Sequence, residues 1–186
     1  MTAFRGFIAI DIEAFPKIVE FFNKIKNSGA NVKVVELKNV HITLKFLGNT
    51  DENLIDKIEQ IIKDSIEGIE PFEINLKGAG VFPNLNYMKV MWIGIENGEK
   101  ISEIAKKIDE QLSKLGFERE KRKFSAHLTI ARIRSARNKE KLQQIIEKYR
   151  EVEFGMLNVE SIKLKKSELT QKGPIYSTLK DVKLVH

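Results

Sequence analysis

Along this chain, segments with an apolar residue at every second position alternate with segments whose apolar residues recur every three to four. Nothing else in the sequence limits the fold so tightly. A period of 2 suits a half-buried strand and a period of 3.6 an amphipathic helix. Four stripes read as helices. Phe15, Ile18, Val19, Phe22 and Ile25 form the first, closed by Gly29. Leu54, Ile58, Ile61, Ile62 and Ser65 form the second, with Thr50 or Asp51 as its N-cap. Ile101, Ile104, Ala105, Ile108, Leu112 and Leu115 form the third, ended by Gly116, where a left-handed residue commonly closes a helix. Leu142, Ile145, Ile146 and Tyr149 form the fourth, with Asn138 as cap. Strand patterns occupy 5–11, 33–36, 39–47, 71–81, 87–96, 124–133, 156–166 and 175–185, and Asn84-Leu85-Asn86 reads as a hairpin loop. This mixture predicts an α+β fold with largely antiparallel sheets. The two halves also rhyme: each has a histidine-bearing strand, then a capped helix, then a further strand, a weak sign of duplication.

Composition narrows the class. A chain of 186 residues, 42% hydrophobic, fits one domain or two packed lobes and needs no covalent staple. With no cysteine, disulfide scaffolds, Cys-ligated zinc, iron–sulfur clusters and thiol nucleophiles are excluded together. The apolar run from Phe7 to Ile10 is cut by Asp11 and Glu13, far short of a membrane span, so a soluble cytoplasmic protein is expected. A net charge of +6 favours polyanionic partners but is also an ordinary solubility charge.

Of three histidines, two sit in one pattern: His41-Ile42-Thr43-Leu44 and His127-Leu128-Thr129-Ile130. On a strand, each His projects beside its Thr while the apolar residues face the other way. One such strand is ordinary architecture. Two among so few histidines arise by chance with a probability on the order of 10⁻⁵ to 10⁻⁴. Two imidazoles with pKa values near neutrality can divide into a neutral base and a protonated acid. The base takes a proton from an attacking water or hydroxyl, and the acid protonates the departing oxygen. The threonine hydroxyls can hold non-bridging phosphate oxygens, on which charge grows in the transition state. Phosphodiester cleavage or transfer fits this equipment and asks for neither metal nor cofactor.

The chain resembles the two-histidine (2H) phosphoesterase superfamily, and within it the RNA 2′,3′-cyclic phosphodiesterase, or 2′-5′ RNA ligase, family. Five segments carry the likeness, in order: Arg5-Gly-Phe-Ile-Ala-Ile10, Val40-His-Ile-Thr-Leu-Lys-Phe-Leu-Gly48, Phe82-Pro83-Asn84 with Val90-Met-Trp-Ile-Gly94, Phe124-Ser-Ala-His-Leu-Thr-Ile-Ala-Arg132, and Leu169-Thr-Gln-Lys-Gly-Pro-Ile-Tyr176. The resemblance implies a single two-lobed domain over 1–186, pseudo-symmetric, with helices outside two sheets and the motif strands lining a cleft. It implies hydrolysis of a 2′,3′-cyclic phosphate to a 2′-phosphate, with reversible ATP-independent 2′-5′ joining in some members. It makes His41 the proton donor, His127 the proton acceptor, and Thr43 and Thr129 phosphate contacts. The implied partners are RNA ends or nucleotides with a 2′,3′-cyclic phosphate, tRNA fragments among them, met by a monomer without metal or cofactor. Where the family commonly has proline before the second histidine, this chain has Ala126.

Further candidates come from parity and composition. Lys45 shares the parity of His41 and Thr43 and is a candidate phosphate contact. Arg132 has core parity and reaches the cleft only where its strand bulges. Tyr176, Phe46 and Trp92 could stack a base, although core packing is the expectation for Phe46 and Trp92. Lys121, Arg122, Lys123, Arg134 and Arg137 could track an RNA backbone or form a solvated face. His186 is expected to be frayed. Gly78-Ala-Gly80 lacks the rest of a dinucleotide fingerprint, and no P-loop pattern occurs. The competing class is a non-catalytic module that holds a nucleotide or RNA end in the same cleft.

Overall fold

The computed structural model describes residues 2–185; His186 lies outside them. In chain order the elements are β1 (Ala3–Asp11), α1 (Pro16–Lys26), β2 (Val32–Val34), β3 (His41–Asp51), α2 (Ile55–Ser65), β4 (Phe72–Asn84), β5 (Tyr87–Glu96), α3 (Glu99–Ser113), β6 (His127–Ile133), α4 (Lys139–Tyr149), β7 (Glu153–Val159), β8 (Ser161–Thr170) and β9 (Gly173–Lys183). The strands form two sheets, ordered β3-β1-β8-β9 and β2-β6-β5-β4-β7. Their ladders are antiparallel. The expected α+β architecture is therefore what this sequence builds.

Each sheet keeps one face for helices. In the first lobe α2 packs on β8 and β9 and against α3, which also rests on β3. In the second, α1 packs on β2 and β7, α4 packs on β4, and the two helices touch. Alternation in β1 and β3 turns Ile8, Ile10, Ile42 and Leu44 toward the helices, and all four are buried. The second lobe's core is partly aromatic: Phe21 lies 4.8 Å from Tyr149 and 5.4 Å from Phe154 between ring centroids. The motif strands β3 and β6 come into contact where the two sheets meet.

Several boundaries differ from the sequence expectation. The pattern over 156–166 is two strands in different sheets, parted at Glu160. The break is visible in burial, since Val159 and Ile162 are both buried three positions apart where one strand needs two or four. Both histidines open their strands, and 37–39 forms a 3₁₀ turn ahead of β3. Asp51 does cap, but it caps the 3₁₀ turn 52–54 that leads into α2, accepting from the Asn53 amide at 2.9 Å. Asn138 precedes α4 in a left-handed conformation, φ 54°, and its side chain makes no capping bond. Its carbonyl accepts from the Lys141 and Leu142 amides instead.

Candidate active site

Register places the motif side chains. In the first lobe His41 pairs with Asp11 and Thr43 with Ala9, and then the ladder slips: Lys45 pairs with Ile8 and Phe46 with Phe7. Leu44 is an extra residue, a β-bulge that reverses parity beyond it. The second lobe repeats the device. His127 pairs with Gly94 and Thr129 with Trp92, whereas Ala131 pairs with Met91 and Arg132 with Val90, so Ile130 is the extra residue. Each motif strand therefore shows a histidine, a threonine and then, across the bulge, Phe46 or Arg132 on one face.

Both imidazoles are held in one way. His41 Nδ1 lies 2.7 Å from the Asn39 carbonyl, and His127 Nδ1 lies 2.8 Å from the Ser125 carbonyl. A carbonyl only accepts, so Nδ1 carries the proton in each ring and Nε2 is left for chemistry. Asn39 is itself anchored, its side-chain amide donating to the Pro174 carbonyl at 3.2 Å. His41 Nε2 takes the Thr43 hydroxyl at 2.9 Å. His127 Nε2 and the Thr129 hydroxyl have no hydrogen-bond partner among the described residues.

The surroundings of the two rings differ. Burial holds His41 below its ordinary value of 6.5; the Asn39 carbonyl opposes this, Lys165 adds to it, and Asp11 opposes it. Its ring packs 5.0 Å from Phe7 and stands edge-on to Tyr176 at 5.4 Å. Asp11 is gripped by Lys163 at 2.9 Å and Lys165 at 2.7 Å. His127 faces a glycine in register, and Phe82 meets it edge-on at 5.2 Å. Sequence reading missed Asp11, Lys163, Lys165, Phe7 and Arg5. Their positions beside the motif come from strand pairing, which leaves no local trace.

Arg132 reaches the motif face through the bulge, and Tyr176 joins it. Burial raises the Tyr176 hydroxyl above its ordinary value, while the charges of Arg132 and Arg5 pull it down. One guanidinium from each lobe thus lies close enough to act on the same phenol. Trp92, expected in the core, instead shares the motif face through its register with Thr129, partly buried and tilted against Phe82 at 5.2 Å. It lies across Gly80, where any Cβ would run into the indole, a packing reason for the glycine that the dinucleotide comparison lacked. Lys121, Arg122, Lys123, Arg134 and Arg137 are all exposed, and Lys121 meets Glu118 at 3.5 Å. Among the described residues no helix is long and apolar enough to cross a membrane.

Two expectations are overturned by the first bulge. Phe46, expected in the core, is 65% exposed. Lys45, expected on the motif face, is turned into the lobe. Its ammonium donates to Asp109 Oδ1 and the Glu118 carbonyl, each at 2.7 Å, and to Glu120 Oε1 at 3.2 Å. All three protons are used, so none remains for a phosphate. Burial works to raise the Asp109 carboxyl, but hydrogen bonds from Lys45, Arg119 and the Glu120 amide outweigh it and hold it below the usual carboxylate range. The cluster ties β3 to α3 and to the segment that leads into His127. Lys45→Met is expected to cost about 1.5 kcal/mol at neutral pH, the worth of a charge-assisted hydrogen bond, because Arg119 and the Glu120 amide still hold the Asp109 carboxylate. Because the Asp109 pKa is depressed, that cost is present above the unfolded carboxylate value and fades as pH falls through the folded one. Urea melts of both proteins across pH 2–7 measure it.

Several known proteins are similar to this chain over nearly its whole length. Residues 7–184 match the family described as AKAP7 2′5′ RNA ligase-like domain. A Methanocaldococcus jannaschii protein named RNA 2′,3′-cyclic phosphodiesterase is 46% identical over 179 residues, covering 95% of this chain and 99% of that protein. Its namesake from Methanothermobacter thermautotrophicus is 40% identical over 182 residues, covering 97% and 98%. The crystal structure of TT0787 of Thermus thermophilus superposes with a TM-score of 0.79 at 26% identity, over 97% of each chain. Escherichia coli LigT complexed with 3′-AMP superposes at 0.72, covering both chains fully; at 21% identity this speaks for the fold alone.

Proposed function

The chain belongs to the AKAP7 2′5′ RNA ligase-like family of two-histidine phosphoesterases, and from that premise we propose that it hydrolyses RNA or nucleoside 2′,3′-cyclic phosphates to 2′-phosphates. The observation that carries the reading is the matched pair of histidine frames. Two imidazoles, each with Nδ1 spent on the carbonyl two residues earlier, keep Nε2 for proton transfer on strands that meet.

In this reading His127 Nε2 takes a proton from water as its oxygen attacks phosphorus. The bond from phosphorus to O3′ breaks, and protonated His41 delivers the Nε2 proton to O3′. While His41 is neutral, the Thr43 hydroxyl must donate to Nε2. Once His41 is protonated, Nε2 becomes the donor and the Thr43 hydroxyl proton is released for a phosphate oxygen. Thr129 is free to donate from the start. With the 5′-hydroxyl of a second RNA end in place of water, the same steps join that end to the cyclic phosphate through a 2′-5′ linkage without ATP. His127 takes the hydroxyl proton, the bond from phosphorus to O3′ breaks, and O3′ leaves with the proton from His41; the intact acid–base pair supports that as a second outcome.

Incubation of a nucleoside 2′,3′-cyclic phosphate with the protein in excess EDTA tests the proposal, with 2′- and 3′-phosphate products resolved. Accumulation of 2′-phosphate is the expected result. Loss of turnover on chelation would make it a metal enzyme, and binding without turnover a nucleotide-holding module.

A pH prediction follows from the burial of His41. If His41 must be protonated, activity falls as pH rises through its pKa, which lies below 6.5 in the free protein. The anionic phosphate then favours the imidazolium once substrate is bound. The alkaline limb is therefore expected at lower pH in kcat/KM, which reports the free enzyme, than in kcat, which reports the complex. Coincident limbs would remove His41 from the donor role.

A further inference from the structure

Phe46 stands near the middle of an eleven-residue strand, yet its side chain is 65% exposed. A phenylalanine in that place forfeits burial that the period of the strand would otherwise supply. The cause is the bulge at Leu44, which sends Lys45 into the lobe and Phe46 onto the face of His41 and Thr43. The matching bulge at Ile130 sends Arg132 onto the face of His127 and Thr129. At corresponding positions beyond the two motifs, one lobe offers a flat apolar ring and the other a guanidinium. A nucleotide divides in the same way, into a flat base and an anionic phosphate separated by a ribose.

On the reading of the site given above, we infer that Phe46 is the platform on which the substrate's nucleobase stacks. Its distance from the chemistry suits this: the Phe7 ring lies 5.0 Å from His41 and 6.5 Å from Phe46, so one ring separates the platform from the imidazole. The other aromatic residues beside the motifs are engaged. Tyr176 packs edge-on against both Phe7 and His41. Phe82 is held between Trp92 and His127. Among the described residues Phe46 has one ring contact, the tilted one with Phe7, and its open face is turned to solvent. Stacking on an aromatic face is tolerant of sequence, so the platform would accept any base and grip purines harder than pyrimidines. Whatever base specificity the enzyme has must then come from other contacts.

The test compares Phe46→Ala and Phe46→Trp with the unchanged protein on adenosine 2′,3′-cyclic phosphate and on methyl riboside 2′,3′-cyclic phosphate, which has no base. Phe46→Ala is expected to lower kcat/KM for the adenosine substrate by about 5- to 100-fold, the worth of one base–aromatic stack, mainly through KM. It is expected to leave the base-free substrate unchanged, while Phe46→Trp keeps or improves the adenosine reaction. Because the ring is mostly in water, its removal should leave the melting temperature unchanged. Equal losses on both substrates, or no loss on either, would overturn the inference. Calorimetric titration with adenosine 2′-monophosphate separates this from failure of the proposed activity. Weaker binding by Phe46→Ala supports the platform even in a protein without turnover; unchanged binding refutes it even in an active one.

Discussion

Replacing either His41 or His127 by alanine is expected to lower kcat on a nucleoside 2′,3′-cyclic phosphate by about 10²–10⁴, the share of one positioned acid or base. The reasoning is geometric. Each ring spends Nδ1 on a backbone carbonyl, at 2.7 Å and 2.8 Å, so a single nitrogen per ring can move a proton. The double variant should be scarcely slower than the slower single variant, because the proton taken by one ring and the proton given by the other belong to one displacement. Melting curves of the three variants guard against loss of folding, since both rings are only partly buried. If the two losses multiply in full, the histidines act in separate steps and the shared mechanism is wrong.

Thr43→Val and Thr129→Val come next in size, each expected to lower kcat by about 10–10³ with little change in KM. Donors that tighten on growing negative charge act on the transition state and not on substrate binding. Valine keeps the branched shape a strand accepts, and Thr→Ser, which keeps the hydroxyl, should recover most of the rate. The two positions should differ in detail. The Thr43 hydroxyl is bound to His41 Nε2 at 2.9 Å, so its removal also frees the imidazole and should alter the His41 limb of the pH profile. Thr129 has no such partner among the described residues, and its loss should lower the rate and leave the profile in place. A loss confined to KM at both positions would reduce the hydroxyls to ground-state contacts.

How much of the site was legible can be judged at the bulges. Alternation placed His41 with Thr43 and His127 with Thr129 correctly, because no irregularity intervenes. Beyond Leu44 and Ile130 it failed, sending Lys45 to the wrong face and Phe46 to the wrong environment. One signal was present: Ile130 and Ala131 are consecutive apolar residues followed by Arg132, a pattern a regular half-buried strand does not show. Aligning the two motifs carries that break to Leu44 and Lys45, where a lysine disguises it.

Residue order alone determined the kinds of element and, as far as the two bulges, the polarity of the motif-strand faces, since a helix stripe or a strand alternation is set by neighbours within a few positions. It also determined that two histidine–threonine pairs would stand on strand faces. Tertiary structure decided everything that depends on distant residues. The first sheet is assembled from both ends of the chain, the second from its middle with β2 added at one edge, and α3 leaves the strands on either side of it to pack in the other lobe. Asp11 reaches His41 only through the register of β1 against β3, and Lys45 finds Asp109 64 positions away. Local periodicity follows from backbone sterics and leaves its mark in every window of sequence. Strand pairing, register slips and buried ion pairs are settled by contacts formed only when the chain closes on itself, so no single window carries them.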